Sequence, residues 1–158
     1  MATIKLSFRQ RPIPIPAEYR PIYKIGLIVL ILKICGHAEK ASLLKLHLLS
    51  WATLSKGNMQ GLEGYVKSGY QDDFSVWGIE PALNRALQYA GAERICGMDS
   101  DGNYILLEKG QRFYQMISAD PDLFATEKAF FAFLGKKKIT DNHLLKLSKR
   151  WNVSHAKN

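Results

Sequence analysis

The spacing of apolar and polar positions divides the chain into a short extended start, a long helical middle and a helical end. Residues 3–8 (TIKLSF) place Ile4, Leu6 and Phe8 on one side, the period of two expected of a strand with one buried face. Pro12, Pro14, Pro16 and Pro21 follow. Each fixes φ and removes a backbone donor, so the stretch reads as an extended strap. From Pro21 the run IYKIGLIVLILKIC is apolar on nearly every side. Ile25, Ile28, Val29 and Ile31 would suit a buried strand, but the length of the run decides for a central helix. Gly36 closes it, and residues 40–54 predict a second helix with Leu44, Leu48 and Trp51 as its buried stripe and Leu43 and Leu46 beside them.

Residues 55–79 are too many for one structureless loop in a compact domain. Met59, Leu62, Tyr65 and Val66 predict a short helix after Asn58, and residues 74–77 (FSVW) a brief strand. Residues 80–90 predict a third helix, with Pro81 at its start and Leu83, Ala86, Leu87 and Ala90 at core spacing. Residues 93–98 and 103–108 flank Asp99-Ser100-Asp101-Gly102, whose Asp-Gly step signals a hairpin. Helices follow over 108–118 and over 123–134, the latter rich in phenylalanine and ended by Gly135. Thr140 then caps a last helix whose Leu144, Leu147 and Trp151 oppose Lys146, Lys149 and Arg150. Helix, helix, short strand, helix, two-stranded hairpin, helix is the order of a winged helix-turn-helix domain. The expected fold is therefore mainly α with a small β-wing: an extended N-terminal arm over 1–20, a winged-helix domain over 21–118 and a C-terminal helical extension over 119–158.

Composition adds boundaries to this picture. With 158 residues, 47 % hydrophobic and 23 % charged, the chain can bury a real core without disulfides or metals. Cys35 and Cys96 lie far apart and outside any CxxC pattern, which points to reduced, buried thiols. The strongest apolar run, residues 25–35, is broken by Lys33 and falls well short of the ~20 residues that span a bilayer. No membrane association is expected, and the first residues lack the basic-then-apolar pattern of a signal peptide, so a cytoplasmic location follows. Net charge is +8 but unevenly placed. Residues 1–50 carry eight Lys/Arg against Glu18 and Glu39, and residues 136–158 carry seven against Asp141, whereas residues 51–135 carry seven against 11 acidic residues. A polyanion should meet the ends before the centre.

Catalytic patterns are absent from the sequence. There is no GxxxxGK[ST] phosphate cradle, no HxxxH or HExxH metal pair and no GxSxG elbow. His37, His47, His143 and His155 are scattered, His47 sits on an apolar helix as a packed residue, and Asp72-Asp73 reads as a solvated loop. A non-enzymatic protein with no cofactor and no metal is expected. Binding therefore carries the functional reading. A DNA-reading third helix needs cations at the major groove and on its flanks, yet residues 80–91 offer Arg85, Asn84 and Gln88 against Glu80, and the hairpin sets Arg94 against Glu93, Asp99, Asp101 and Glu108. A protein partner is favoured over DNA. The candidate surfaces are the N-terminal arm, the aromatic helix and a basic cluster. Phe124, Phe130, Phe131 and Phe133 project in too many directions for one small domain to bury them all, which marks a partner interface. Lys136, Lys137, Lys138, Lys146, Lys149 and Arg150 fall within 15 residues, a candidate for nonspecific contact with a nucleic-acid backbone or an acidic protein face.

The runs RPIYKIGLIVLILKICG (20–36), KASLLKLHLLSWA (40–52), IEPALNRALQYAGAE (79–93) and DGNYILLEKGQRF (101–113) resemble the small middle component of bacterial ABC-three-component defence systems, with the Lamassu group nearest. That resemblance covers about residues 11–151. It implies a small winged-helix-like subunit, with no catalytic motif of its own, joined to an SMC- or Rad50-like ATPase and an effector, often a nuclease, in anti-phage or anti-plasmid immunity. The alternative is a DNA-binding winged-helix transcriptional regulator.

Overall fold

The computed structural model describes residues 20–72 and 80–156, with side chains through residue 149. Helix α1 (Pro21–Leu30) follows an extended Arg20 and has Pro21 in its first turn, where the missing N–H costs no hydrogen bond. Its β-branched run is helical, as length predicted. Lys24 and all residues from Ile25 to Leu30 are buried, so the helix lies in the middle of the molecule. It continues without a break as a π-helical turn, Ile31–Cys35, that ends at Gly36. A Cβ on Gly36 would meet the Lys40 backbone N at 2.9 Å and O at 2.8 Å, so only glycine lets the chain reverse this tightly.

Beyond that reversal lies strand β1 (Lys40–Ala41), then α2 (Leu43–Ala52), capped by the Ser42 hydroxyl, which accepts the Lys45 N–H at 3.2 Å. Strand β1 was not expected, and it shortens the helix predicted over 40–54. The expected stripe is also corrected. Leu46, Leu48 and Leu49 are buried, whereas Leu43 and Leu44, in the first turn, are 41 % and 37 % exposed and Trp51 is half-buried. Helix α3 (Lys56–Lys67) starts from Ser55, whose hydroxyl accepts the Asn58 N–H, rather than after Asn58, whose amide instead donates to the Trp51 carbonyl. The expected strands over 3–8 and 74–77 and the proline strap over 12–16 lie outside the described residues.

Helix α4 (Pro81–Ala92) buries Leu83, Ala86, Leu87 and Ala90 against α1, as its periodicity predicted. Strands β2 (Cys96–Met98) and β3 (Tyr104–Leu106) form the expected hairpin, with Met98 opposite Tyr104 and Cys96 opposite Leu106. Its tip is held by Asp99, whose carboxylate accepts the N–H groups of Asp101 and Asn103, both at 2.9 Å. Strand β1 pairs with the far side of β3, Lys40 opposite Ile105, giving an antiparallel three-stranded sheet in the order β1-β3-β2. Helices α5 (Glu108–Ala119), α6 (Ala125–Leu134) and α7 (Asp141–Ala156) complete the chain. The protein is thus mainly helical with one small antiparallel sheet. Ile117, Phe131, Leu134, Ile139 and Leu144 join the same buried cluster as Leu27 and Leu48, so the residues on both sides of position 118 share one core.

Candidate functional site

The four phenylalanines do not form an exposed face. Phe130 and Phe131 are 3 % and 0 % exposed, because α6 packs against the π-helical turn and α1. The reasoning that one helix presents too many aromatics to bury is corrected for these two. Phe124 is half-buried, its ring stacked on Tyr23 at 5.2 Å between centroids, and Tyr23 donates from its hydroxyl to Glu127 at 2.8 Å. Phe133 is half-buried beneath Lys138, whose Nζ lies 3.9 Å from the ring centroid and donates to the Phe133 carbonyl at 2.6 Å.

An apolar face does exist elsewhere. Ile22 on α1, Ile95 before β2, and Phe113 and Met116 on α5 line an open recess of about 350 Å³, with Lys109 and Arg112 at its edge. Ile22 and Met116 are 64 % and 69 % exposed. Lys109 is tied to Glu93 at 2.8 Å, while Arg112 makes no ion pair among the described residues. Sequence reasoning missed this face because an apolar residue on an amphipathic helix reads as core whether or not anything covers it.

The expected basic cluster is divided by the fold. Lys138 turns onto Phe133, Lys146 and Lys149 stand exposed on α7, and the side chain of Arg150 lies outside the described residues. Lys136 and Lys137 point the other way. With Lys40 from β1 and Lys45 from α2 they line a cavity of about 590 Å³, to which His37 and Asp141 also contribute. Lys45 is 7 % exposed, and its side chain has no hydrogen bond or ion pair among the described residues. Burial holds its ammonium below the ordinary lysine range, opposed by Cys35 and then by the charge of Asp141. Lys40 is held toward the hairpin tip by Asp99 at 3.4 Å. About 90 residues of sequence separate the two lysine pairs, which is why no local pattern reveals them.

The remaining polar candidates are absorbed into the interior. His47 is packed, as expected: its Nδ1 accepts the Glu80 N–H at 3.3 Å, which makes Nε2 the donor to Asn84 Oδ1 at 3.0 Å. Burial, only partly offset by the Asn84 hydrogen bond, holds this imidazole below its ordinary range. The Cys35 thiol donates to the Phe131 carbonyl at 3.5 Å and burial pushes it up to about 12, while burial raises Cys96 to about 11. Neither is a thiolate nucleophile near neutral pH. Among the described residues no group of three or more His, Cys, Asp or Glu side chains is arranged to hold a metal ion, and no helix is long and apolar enough to cross a membrane. The exposed side of α4 carries Arg85, Gln88 and Tyr89, followed by Glu93 and Arg94, a nearly neutral face. No family model, curated protein or solved structure matches the chain.

Proposed function

We propose that this chain is a non-catalytic, winged-helix adaptor subunit of a cytoplasmic complex between an SMC- or Rad50-like ATPase and an effector nuclease, acting in defence against phages or plasmids. The winged-helix reading is supported by the order α1, β1, α2, α4, β2, β3 with the sheet arranged β1-β3-β2, α3 being an insertion between the second and third helices of that scheme. The complex and its role rest on the sequence resemblance. The observation that carries a protein-binding function is the apolar recess at Ile22, Phe113 and Met116, lined also by Arg112, which makes no ion pair among the described residues. Exposed apolar surface bordered by charge is the anatomy of a docking site, and the cationic rim selects a partner surface with carboxylates around an apolar anchor. This face replaces the α6 aromatics as the interface.

The DNA-binding regulator is supported less well. A recognition helix in the position of α4 would present Arg85 and Gln88 beside Glu93, with Asp101 at the tip of the hairpin, and carboxylates facing phosphates release no counterions. Co-expression with the proteins encoded beside this gene tests the proposal. Wild type should co-purify with an ATPase subunit, and Ile22→Glu with Met116→Glu should lose it, since burying an unpaired carboxylate in an interface costs ~2 kcal/mol or more, roughly thirtyfold in affinity. Both residues are exposed, so the isolated variant keeps its thermal transition. Undiminished co-purification of the double variant would remove this face from the complex, and a chain that recovers no ATPase would remove the complex.

A further inference from the structure

We propose that the cavity between β1, the start of α2 and the α6–α7 connection is an anion site that takes the phosphate group of a small phosphorylated molecule. The proposal is independent of the ATPase partner. Its basis is the convergence of Lys40, Lys45, Lys136 and Lys137 on one recess of about 590 Å³, in whose lining Asp141 is the one carboxylate among the described residues. Lys40 is already paired with Asp99, so Lys45, Lys136 and Lys137 against Asp141 leave an excess of positive charge in a concave recess, where an anion is held more strongly than on a convex surface.

Lys45 is the decisive member. Lys45 is only 7 % exposed, its stem buried while its ammonium keeps contact with the cavity that it lines, so that little water competes with an anion for it. The Lys45 ammonium makes no hydrogen bond or ion pair among the described residues, Asp141 acting on it only at longer range, and the nearby Ser42 hydroxyl is already committed to the Lys45 N–H. Lys45 lines the cavity with Lys40, Lys136 and Lys137. Lys40 stands at the rim with its position fixed by Asp99, itself fixed by the hairpin turn. Lys136 and Lys137 supply the opposite wall from a connection pinned on its other side: the Tyr70 hydroxyl donates to the Lys138 carbonyl at 2.7 Å, and the Tyr70 ring stacks on His143 at 3.7 Å. The site is therefore built before a ligand arrives. Asn103 and Thr140 in the lining add hydrogen-bonding groups for the non-phosphate part. The volume falls within the range of small-molecule clefts, and the depth of Lys45 favours a terminal phosphate entering a recess over the phosphates of a duplex passing across a surface.

Pyrophosphate is the test probe, titrated into the full chain by calorimetry at constant ionic strength with chloride as the balancing anion. Saturable binding of one pyrophosphate is expected, weakened by about tenfold or more in Lys45→Met and unchanged in Lys146→Ser. The methionine keeps the buried stem, so the variant should unfold no earlier than wild type. Should it fail to fold, the exposed pair Lys136→Ser with Lys137→Ser gives the same readout. A single-stranded oligonucleotide with and without a 5′-phosphate separates ligand sources. Binding of only the phosphorylated form, lost in Lys45→Met, supports the site and widens its ligand to strand ends. Absence of saturable binding, equal loss in Lys146→Ser, or oligonucleotide binding indifferent to both the 5′-phosphate and Lys45 overturns the proposal.

Discussion

Adjoining helices each bury a lysine, and the fold treats the two in opposite ways. Lys24 of α1 is fully buried. Its Nζ donates to the Ser50 hydroxyl at 2.9 Å and lies 2.5 Å from Glu80 Oε1, while the Ser50 hydroxyl in turn donates to Glu80 Oε2 at 2.8 Å. Glu80 Oε1 takes the ion pair without a further hydrogen bond, and the backbone N–H of the same residue is taken up by His47. The charge of α1 is thus closed off by α2 and the start of α4. Lys45 of α2 has no such ion pair or hydrogen bond to its side chain among the described residues and lines a cavity with three other lysines. An enclosed charge contributes to one unique arrangement of helices, whereas an open one leaves room for something else to complete it.

The sharpest way to break this contrast is to remove Lys24. Lys24→Met strands the Glu80 carboxylate in the interior and should cost ~3–5 kcal/mol of stability, read from urea unfolding. Adding Glu80→Gln should restore more than half of that loss. If the double variant is as unstable as the single, the pair is not an enclosed charge unit.

A smaller effect is expected from pH. His47 is neutral in the network, with its Nδ1 accepting the Glu80 N–H, and burial holds its pKa below the ordinary 6.5. The unfolded chain therefore takes up the proton first as pH falls, so stability declines from about pH 6.5 downward and levels off below the folded pKa. His143 shifts the same way, through burial and then the charge of Lys146. Unfolding midpoints between about pH 7.5 and pH 5 should fall in wild type and fall less in His47→Gln, with His143→Gln removing the smaller share. A wild-type midpoint that is flat across this window would refute the neutral assignment.

The smallest effect belongs to Lys45. Without added anion, Lys45→Met should be neutral or should raise stability by about 1 kcal/mol, since a desolvated charge is exchanged for an apolar stem. A loss of the size expected for Lys24→Met would mean that Lys45 is enclosed after all, and the contrast between the two helices would vanish.

Sequence pattern reached some of these features and not others, for identifiable reasons. Pro21, Gly36 and an unbroken apolar run define α1, Pro81 and four spaced apolar residues define α4, and Asp101-Gly102 places the hairpin, because each signal lies within the element it forms. Strand β1 is two residues long and exists through pairing with β3 more than 60 positions later, which no local period announces. The lysine cavity fails for the same reason: Lys136 and Lys137 look like part of a basic run until the fold sets them against Lys40 and Lys45. The directions in which the α6 aromatics point do not tell what surrounds them. The π-helical turn takes Phe131 and Lys138 covers Phe133. His47 was read correctly as packed, but its partners Glu80 and Asn84 lie 33 and 37 positions away.

The contact between α1 and the residue before α6 carries an evolutionary consequence. The Phe124 ring lies so close over Gly26 that any Cβ at position 26 would overlap it, and Phe124 itself adopts a left-handed backbone, φ 53°. The two positions behave as one inherited unit. A lineage that enlarges residue 26 before shrinking residue 124 passes through an overpacked intermediate, so the order of substitution is constrained. Wherever this fold persists in descendants of the sequence, a small residue at one position should accompany a large one at the other.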